Sequence, residues 1–180
     1  MTANVRPVRL GLGRRGAWTA LLAGVGALGV VEFSVLHLLA TGLLPHPAAL
    51  IIDLVIGIPT ATLILAVASP LWSTHRLTRT HLHLRFGWLA AIDIPPPLIH
   101  DASTYRPPVQ HPAQTGLDFD SKSATWSAIR SPASPLIRIT LTDPIPARTQ
   151  AWRRVSPRSI VISVDNADTF LSALDSTRDN

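Results

Sequence analysis

Two long apolar runs restrict this chain more than any other feature. Residues 17–44 form one run of 28 residues and residues 48–72 a second of 25, and between Gly16 and Ser73 only Glu32 and Asp53 carry a formal charge. About 20 apolar residues are enough for a helix to cross a hydrocarbon core. The tripeptide Pro45-His46-Pro47 separates the runs. Proline lacks the amide hydrogen a helix interior needs but is tolerated in a first helical turn, so this tripeptide ends one helix and starts the next. The expectation is a transmembrane helical hairpin with a very short outer turn. A secretory signal is the alternative for the first run. Its apolar core is far longer than the roughly 7–15 residues of such signals, no clean cleavage site follows, and "RRGAW" lacks the rest of a twin-arginine signal.

Charge sets the orientation. Arg6, Arg9, Arg14 and Arg15 precede the first run, Arg76, Arg79 and Arg85 follow the second, and the turn between them has no Lys or Arg. Basic residues stay on the cytoplasmic side, so both termini are expected there. Trp18 and Trp72 are then expected at the inner membrane interface, where amphipathic indoles belong. The chain divides into a basic head (1–16), the hairpin (17–72) and a polar part (73–180).

Three ionisable residues fall inside the apolar runs: Glu32, His37 and Asp53. Each costs about 2.5–3.5 kcal/mol at mid-membrane on insertion scales. His37 and Asp53 are equidistant from Pro45, so a hairpin folded there puts them at one depth, where they can pair. Glu32 lies deeper, level with residues 59–62, where Thr60 or Thr62 can donate to it. Two readings stand for these groups: polar glue within the hairpin, or a contact to a larger membrane partner or a second copy of the chain.

The polar part alternates as strands do. In 79–95, "RTHLHLRFGWLAAIDIP", Leu82, Leu84 and Phe86 share one face and Ala90, Ile92 and Ile94 continue it after a turn at Gly87. Three prolines then end the second strand. Shorter strands are expected at 116–119 and 124–129, with the rest of 101–135 unassigned. "LIRITLT" (136–142) and "IVISV" (160–164) alternate or run apolar. A helix over 166–175 follows, capped by Asp165 or Asn166 and presenting Phe170, Leu171 and Leu174. The fold class expected is membrane α+β: a transmembrane helical hairpin, then an antiparallel β domain closed by a C-terminal helix.

"HRLTRTHLHLRFG", "IDIPPPLI" and "IVISVDNADTFLSAL" together resemble the bacterial pleckstrin-homology-like domain, as carried by small membrane proteins behind a two-helix anchor. The resemblance implies a small bent sheet or partial barrel plugged by a helix, at the cytoplasmic face of a bacterial inner membrane. It does not imply phosphoinositide binding, because the first hairpin carries only Arg85 where a basic cluster would be needed.

The densest basic segment is "RTQAWRRVSPR", with Arg148, Arg153, Arg154 and Arg158 around Trp152, read as a loop between strands. Near an anionic leaflet each arginine contributes on the order of 1 kcal/mol. The segment is either a membrane or partner contact or a solvated loop whose indole packs on the sheet. The tip Arg85–Trp88 has the same two readings. His81 and His83 stand two apart on one strand face, but no third metal ligand is evident.

The chain has no cysteine, which excludes disulfides and thiolate chemistry. It has no G-x-S-x-G elbow, P-loop or dinucleotide fingerprint. The net charge of +5 comes almost wholly from arginine, with Lys122 the only lysine, and no basic helix points to nucleic acid. No cofactor or metal is expected. The function expected is a non-enzymatic binding or adaptor module, its partners the anionic inner leaflet and an unidentified protein, with self-association open. The competing expectation is an accessory subunit of a transport or secretion assembly, held through its transmembrane helices.

Overall fold

The computed structural model describes residues 8–110 and 112–178. Arg6 and His111 lie outside the described residues. Two antiparallel helices, α1 (Gly16–Leu43) and α2 (His46–Ala68), turn at Leu44 and Pro45. Both are long and apolar enough to cross a membrane. Their outer surfaces are exposed apolar side chains such as Leu28, Leu38, Ile51 and Val55. They meet where side chains are small: a Cβ on Gly29 would press on the Thr60 methyl, and one on Gly57 on the Phe33 ring. Close approach of backbones at small residues is how helices pack when no water is available to expel. Pro59 is accommodated inside α2.

Among the described residues the rest is built from two sheets and one α-helix. The first sheet has six strands in the order β1-β2-β3-β4-β9-β10: β1 (Val8–Leu10), β2 (His75–Leu77), β3 (Leu82–Phe86), β4 (Ala90–Ile94), β9 (Ala147–Thr149) and β10 (Arg153–Val155). The second has five in the order β5-β8-β11-β7-β6: β5 (Ile99–Tyr105), β8 (Leu136–Leu141), β11 (Ser159–Ser163), β7 (Thr125–Ile129) and β6 (Gly116–Asp120). The chain crosses between sheets at Pro95-Pro96-Pro97, where successive residues without an amide hydrogen cannot extend a ladder. Helix α3 (Ala167–Arg178) packs beside β5.

The β3–β4 hairpin has the expected register, with Leu82 opposite Ile94 and Phe86 opposite Ala90. All six inward residues are essentially inaccessible to solvent. They share one cluster with Trp126, Ile137, Ile139, Ile160, Ile162, Phe170 and Leu174 from the second sheet and α3. The two sheets therefore enclose a single core.

Four expectations change. Residues 8–12 are no separate basic head: β1 pairs with β2, Val8 opposite Leu77, and Leu10 and Leu12 are buried. The sheet is not wholly antiparallel, because β11 runs parallel to β7. Trp18 is not an interfacial residue. It is buried, its indole N–H donates to the Val67 carbonyl at 2.7 Å, and its ring meets Phe86 edge-on at 5.0 Å. The segment 148–158 is not a loop throughout. Its part up to Val155 belongs to the β9–β10 hairpin, which pairs with β4 through Ala91–Arg148 and Ile92–Ala147, and only residues 156–158 lie outside that hairpin.

Candidate functional site

Strand register builds a basic surface on the outer face of the first sheet. The inward residues of β3 are Leu82, Leu84 and Phe86, so His83 and Arg85 face out. Across the sheet, Arg9 stands opposite Arg76, Arg76 opposite His83, and His83 opposite Asp93. A second row runs Arg85, Ala91, Arg148, Arg154. Among the described residues, five arginines and one carboxylate thus share one face. Asp93 is already engaged: it pairs with His83 Nδ1 at 2.7 Å and accepts from Arg85 at 3.2 Å. Arg9, Arg76, Arg148 and Arg154 have no ion pair among the described residues, and Arg9–Arg76 and Arg148–Arg154 are like charges placed directly opposite each other. Such cross-strand pairs destabilise a sheet.

One end of this face is fixed to the helices. The β3–β4 turn docks on the short 3-10 turn Ser69–Leu71 that continues α2: the Trp88 N–H donates to Ser69 Oγ at 2.8 Å and the Gly87 N–H to Ser73 Oγ at 2.8 Å. Gly87 has φ +59, and a Cβ there would collide with Ser69 Oγ and the Pro70 backbone. Only glycine meets both demands. The β9–β10 turn joins the same end, because the Ala151 N–H donates to the Leu89 carbonyl at 2.7 Å. Three tryptophans are therefore left exposed around the foot of α2: Trp72 at 70%, Trp88 at 59% and Trp152 at 82%. Between Trp72 and Trp88 lies a cleft of about 660 Å³, lined also by Thr74, Arg76, His83 and Arg85.

A buried polar node lies behind this end. Arg130, only 4% exposed, donates to the carbonyl of Pro70 at 3.3 Å and to that of Gly13, and lies 4.0 Å from the Asp165 carboxylate. Asp165 accepts the Gly13 N–H at 2.8 Å, and Ser163 Oγ donates to the Leu12 carbonyl at 2.6 Å while accepting the Arg130 N–H. The chain just before α1 is thereby bonded to β11 and to the residue after β7. Burial holds the Arg130 pKa below its usual value, opposed by Asp165. His75 is fully buried nearby and takes the Arg85 N–H on Nδ1 at 3.4 Å. Burial first, then the Arg130 charge, push its pKa from 6.5 down to about 3. At neutral pH it is an uncharged core residue.

The expected site residues divide accordingly. Arg85, Arg148 and Arg154 share the basic face, and Trp88 and Trp152 stand at its helix-proximal end. Arg153 is exposed on edge strand β10 but alternates to the other side, opposite buried Thr149. Arg158 is exposed beside β11, in the other sheet, and does not join the group. His37 Nδ1 and Asp53 Oδ2 pair at 2.9 Å across the helices. Glu32 does not meet Thr60 or Thr62. It points outward, without a hydrogen bond or ion pair among the described residues, while Thr62 donates to the Ile58 carbonyl of its own helix. His81 and His83 stack at 5.7 Å between centroids.

Sequence reasoning used Arg9 and Arg76 only for orientation, not as site residues, and passed over Arg130. The first two lie in three-residue strands, too short to show alternation. Arg130 follows directly on the apolar end of β7, a position that in hindsight marks it for burial. Comparison with protein families, with characterised proteins and with solved structures finds no match for this chain.

Proposed function

We propose that this chain is a membrane-anchored, non-enzymatic binding module, with α1 and α2 crossing the bilayer and the two-sheet domain held against its cytoplasmic face. The distribution of arginines about the apolar runs supports this orientation. The hairpin, the antiparallel strands and the closing helix support the resemblance to the bacterial pleckstrin-homology-like domain. The parallel β7–β11 pair and the contribution of residues 8–12 are departures from the sheet expected on that resemblance.

One observation carries the binding role. Like-charged arginines stand in opposed pairs on a sheet face whose end is tied to the foot of α2 and ringed by exposed tryptophans. An arrangement that costs the isolated domain stability is relieved when an anionic surface neutralises it. Membrane lipids of the inner leaflet supply such a surface within a Debye length. Indoles exposed at the same end suit the interface between hydrocarbon and water.

Orientation is tested by single-cysteine labelling, which the cysteine-free chain permits without background. A cysteine at Ser121 should react with an impermeant maleimide only from the cytoplasmic side, and one at His46 only from the opposite side. The reverse pattern, or equal labelling from both sides, rejects the proposal.

A second reading rests on Glu32. An exposed carboxylate in the middle of an apolar helix is costly without a donor, and a neighbouring membrane helix supplies one. The chain is then an accessory subunit, or self-associates, through α1. Detergent pulldowns of wild type and Glu32→Ala separate the two: partners lost with Glu32 favour the subunit, and partners retained favour the module.

A further inference from the structure

We infer that the cleft between Trp72 and Trp88 binds the phosphate of an anionic phospholipid headgroup, with the acyl chains lying along α2. The inference rests on the anchored reading above and names the ligand of its basic face.

The lining has the chemistry of a phosphate site. Arg76 carries a guanidinium without an ion-pair partner among the described residues, and Arg85 shares its single carboxylate, Asp93, with His83. The cleft thus holds more positive than negative charge. Guanidinium forks match phosphate oxygens in geometry as well as charge. Ser69 and Ser73 are not available to a ligand. Each hydroxyl donates to a backbone carbonyl, of Ala66 and of Ser69, and accepts a turn N–H. The Thr74 hydroxyl is unengaged among the described residues and lines the same cleft.

Position decides in favour of a lipid over a free anion. The cleft is lined by Ser69, Trp72 and Ser73, directly after the last turn of α2, and one face of that helix carries exposed Ile58 at 61% and Leu65 at 52%, seven residues apart. A headgroup seated between the indoles leaves its acyl chains along that apolar helix. A volume of about 660 Å³ exceeds what one phosphate needs and falls in the range of roughly 300–1,000 Å³ usual for small-molecule sites. Glycerol and the first ester groups fit the remainder.

The test uses the full chain in vesicles of neutral phosphatidylcholine doped with brominated phosphatidylglycerol or, separately, with brominated phosphatidylcholine. Bromine quenches indole fluorescence on contact. The anionic lipid should quench at a much lower mole fraction than the neutral one. Arg76→Gln with Arg85→Gln should reduce that preference about 25-fold, on the order of a fivefold loss for each arginine. Arg158→Gln, in the other sheet and outside both the basic face and the cleft, should leave the preference nearly intact. Equal quenching by both lipids in the wild type overturns the headgroup site and leaves the anchored reading standing. No quenching by either lipid overturns both. Competition by millimolar inorganic phosphate in the aqueous phase identifies a free-anion site and overturns the lipid assignment. Loss of preference in Arg158→Gln as large as in the double variant shows a diffuse surface potential and likewise overturns the cleft.

Discussion

The guanidinium of Arg130 donates to the carbonyl oxygen of Pro70, sixty residues earlier in the chain. This bond joins the second sheet to the turn that ends α2. Through Gly13, the same side chain also holds the segment that enters α1. One buried cation thereby ties the β domain to both helices.

Replacing Arg130 by Met should destabilise the protein by about 3 kcal/mol, because two buried carbonyls lose a charged donor at once. The loss should be greatest where helices and domain meet. Limited proteolysis of the full chain in detergent should show new cleavage near residues 72–74 in Arg130→Met. Thermal unfolding gives the magnitude.

His75 makes stability fall in mild acid. In the folded protein its pKa is about 3, against an ordinary 6.5. Between these values the unfolded chain binds the extra proton and the folded chain does not. This contribution is therefore complete above about pH 6.5 and is lost as pH falls toward 3, by up to roughly 1.4 kcal/mol per pH unit. His75→Gln should flatten this part of the curve. The melting temperature of the two proteins, followed from pH 7.5 to 4.5, isolates the histidine from the carboxylates that titrate in the same range.

Gly87→Ala should cost about 1–3 kcal/mol, since the residue combines positive φ with backbone contact against Pro70. The new methyl also pushes the turn off Ser69. Hydrogen exchange at the Gly87 and Trp88 amides should accelerate before that of the β8–β11 ladder does.

Arg154→Glu should separate stability from binding. It converts the Arg148–Arg154 like-charge pair into an attractive one and should stabilise the domain by roughly 0.5 kcal/mol. It should also weaken attachment of the domain to anionic vesicles. A higher melting temperature together with reduced quenching of Trp152 by brominated anionic lipid is the expected pair of results.

Within the helices, His37→Leu leaves Asp53 without its partner and should loosen the hairpin. On the anchored reading proposed above, adding Asp53→Leu should restore much of the loss, because a lone polar group in hydrocarbon is worse than none. Cysteine cross-linking between the two helices reads the difference.

Much of this architecture is a property of single segments, and that part was legible in the sequence. Apolar runs of helix-spanning length define α1 and α2. Period-two alternation defines β3, β4 and β8 and names their buried residues. An apolar stripe behind a cap at Asp165 or Asn166 defines α3, and the structure puts the cap on Asn166, which accepts the Thr169 N–H. Each signal lies within a few turns of chain and needs no knowledge of what packs against it. Pairings between distant segments were decided only by the tertiary structure. Residues 8–10 carry too few side chains to show a period, yet they pair with β2 beyond both long helices. The parallel direction of β7 against β11 leaves no mark in either strand. Trp18, with the composition of an interfacial residue, turns inward because Phe86 and the Val67 carbonyl offer it a ring face and an acceptor. The basic surface itself depends on register. Arg9, Arg76, Arg85, Arg148 and Arg154 are scattered over five strands, and a shift of one residue in any of them would turn that arginine to the other face. The sequence by itself determined the three helices and the strands β3, β4 and β8 with their apolar faces, because those depend on neighbours along the chain. Which charges meet, which arginine is buried and where a cleft opens were left to packing across it.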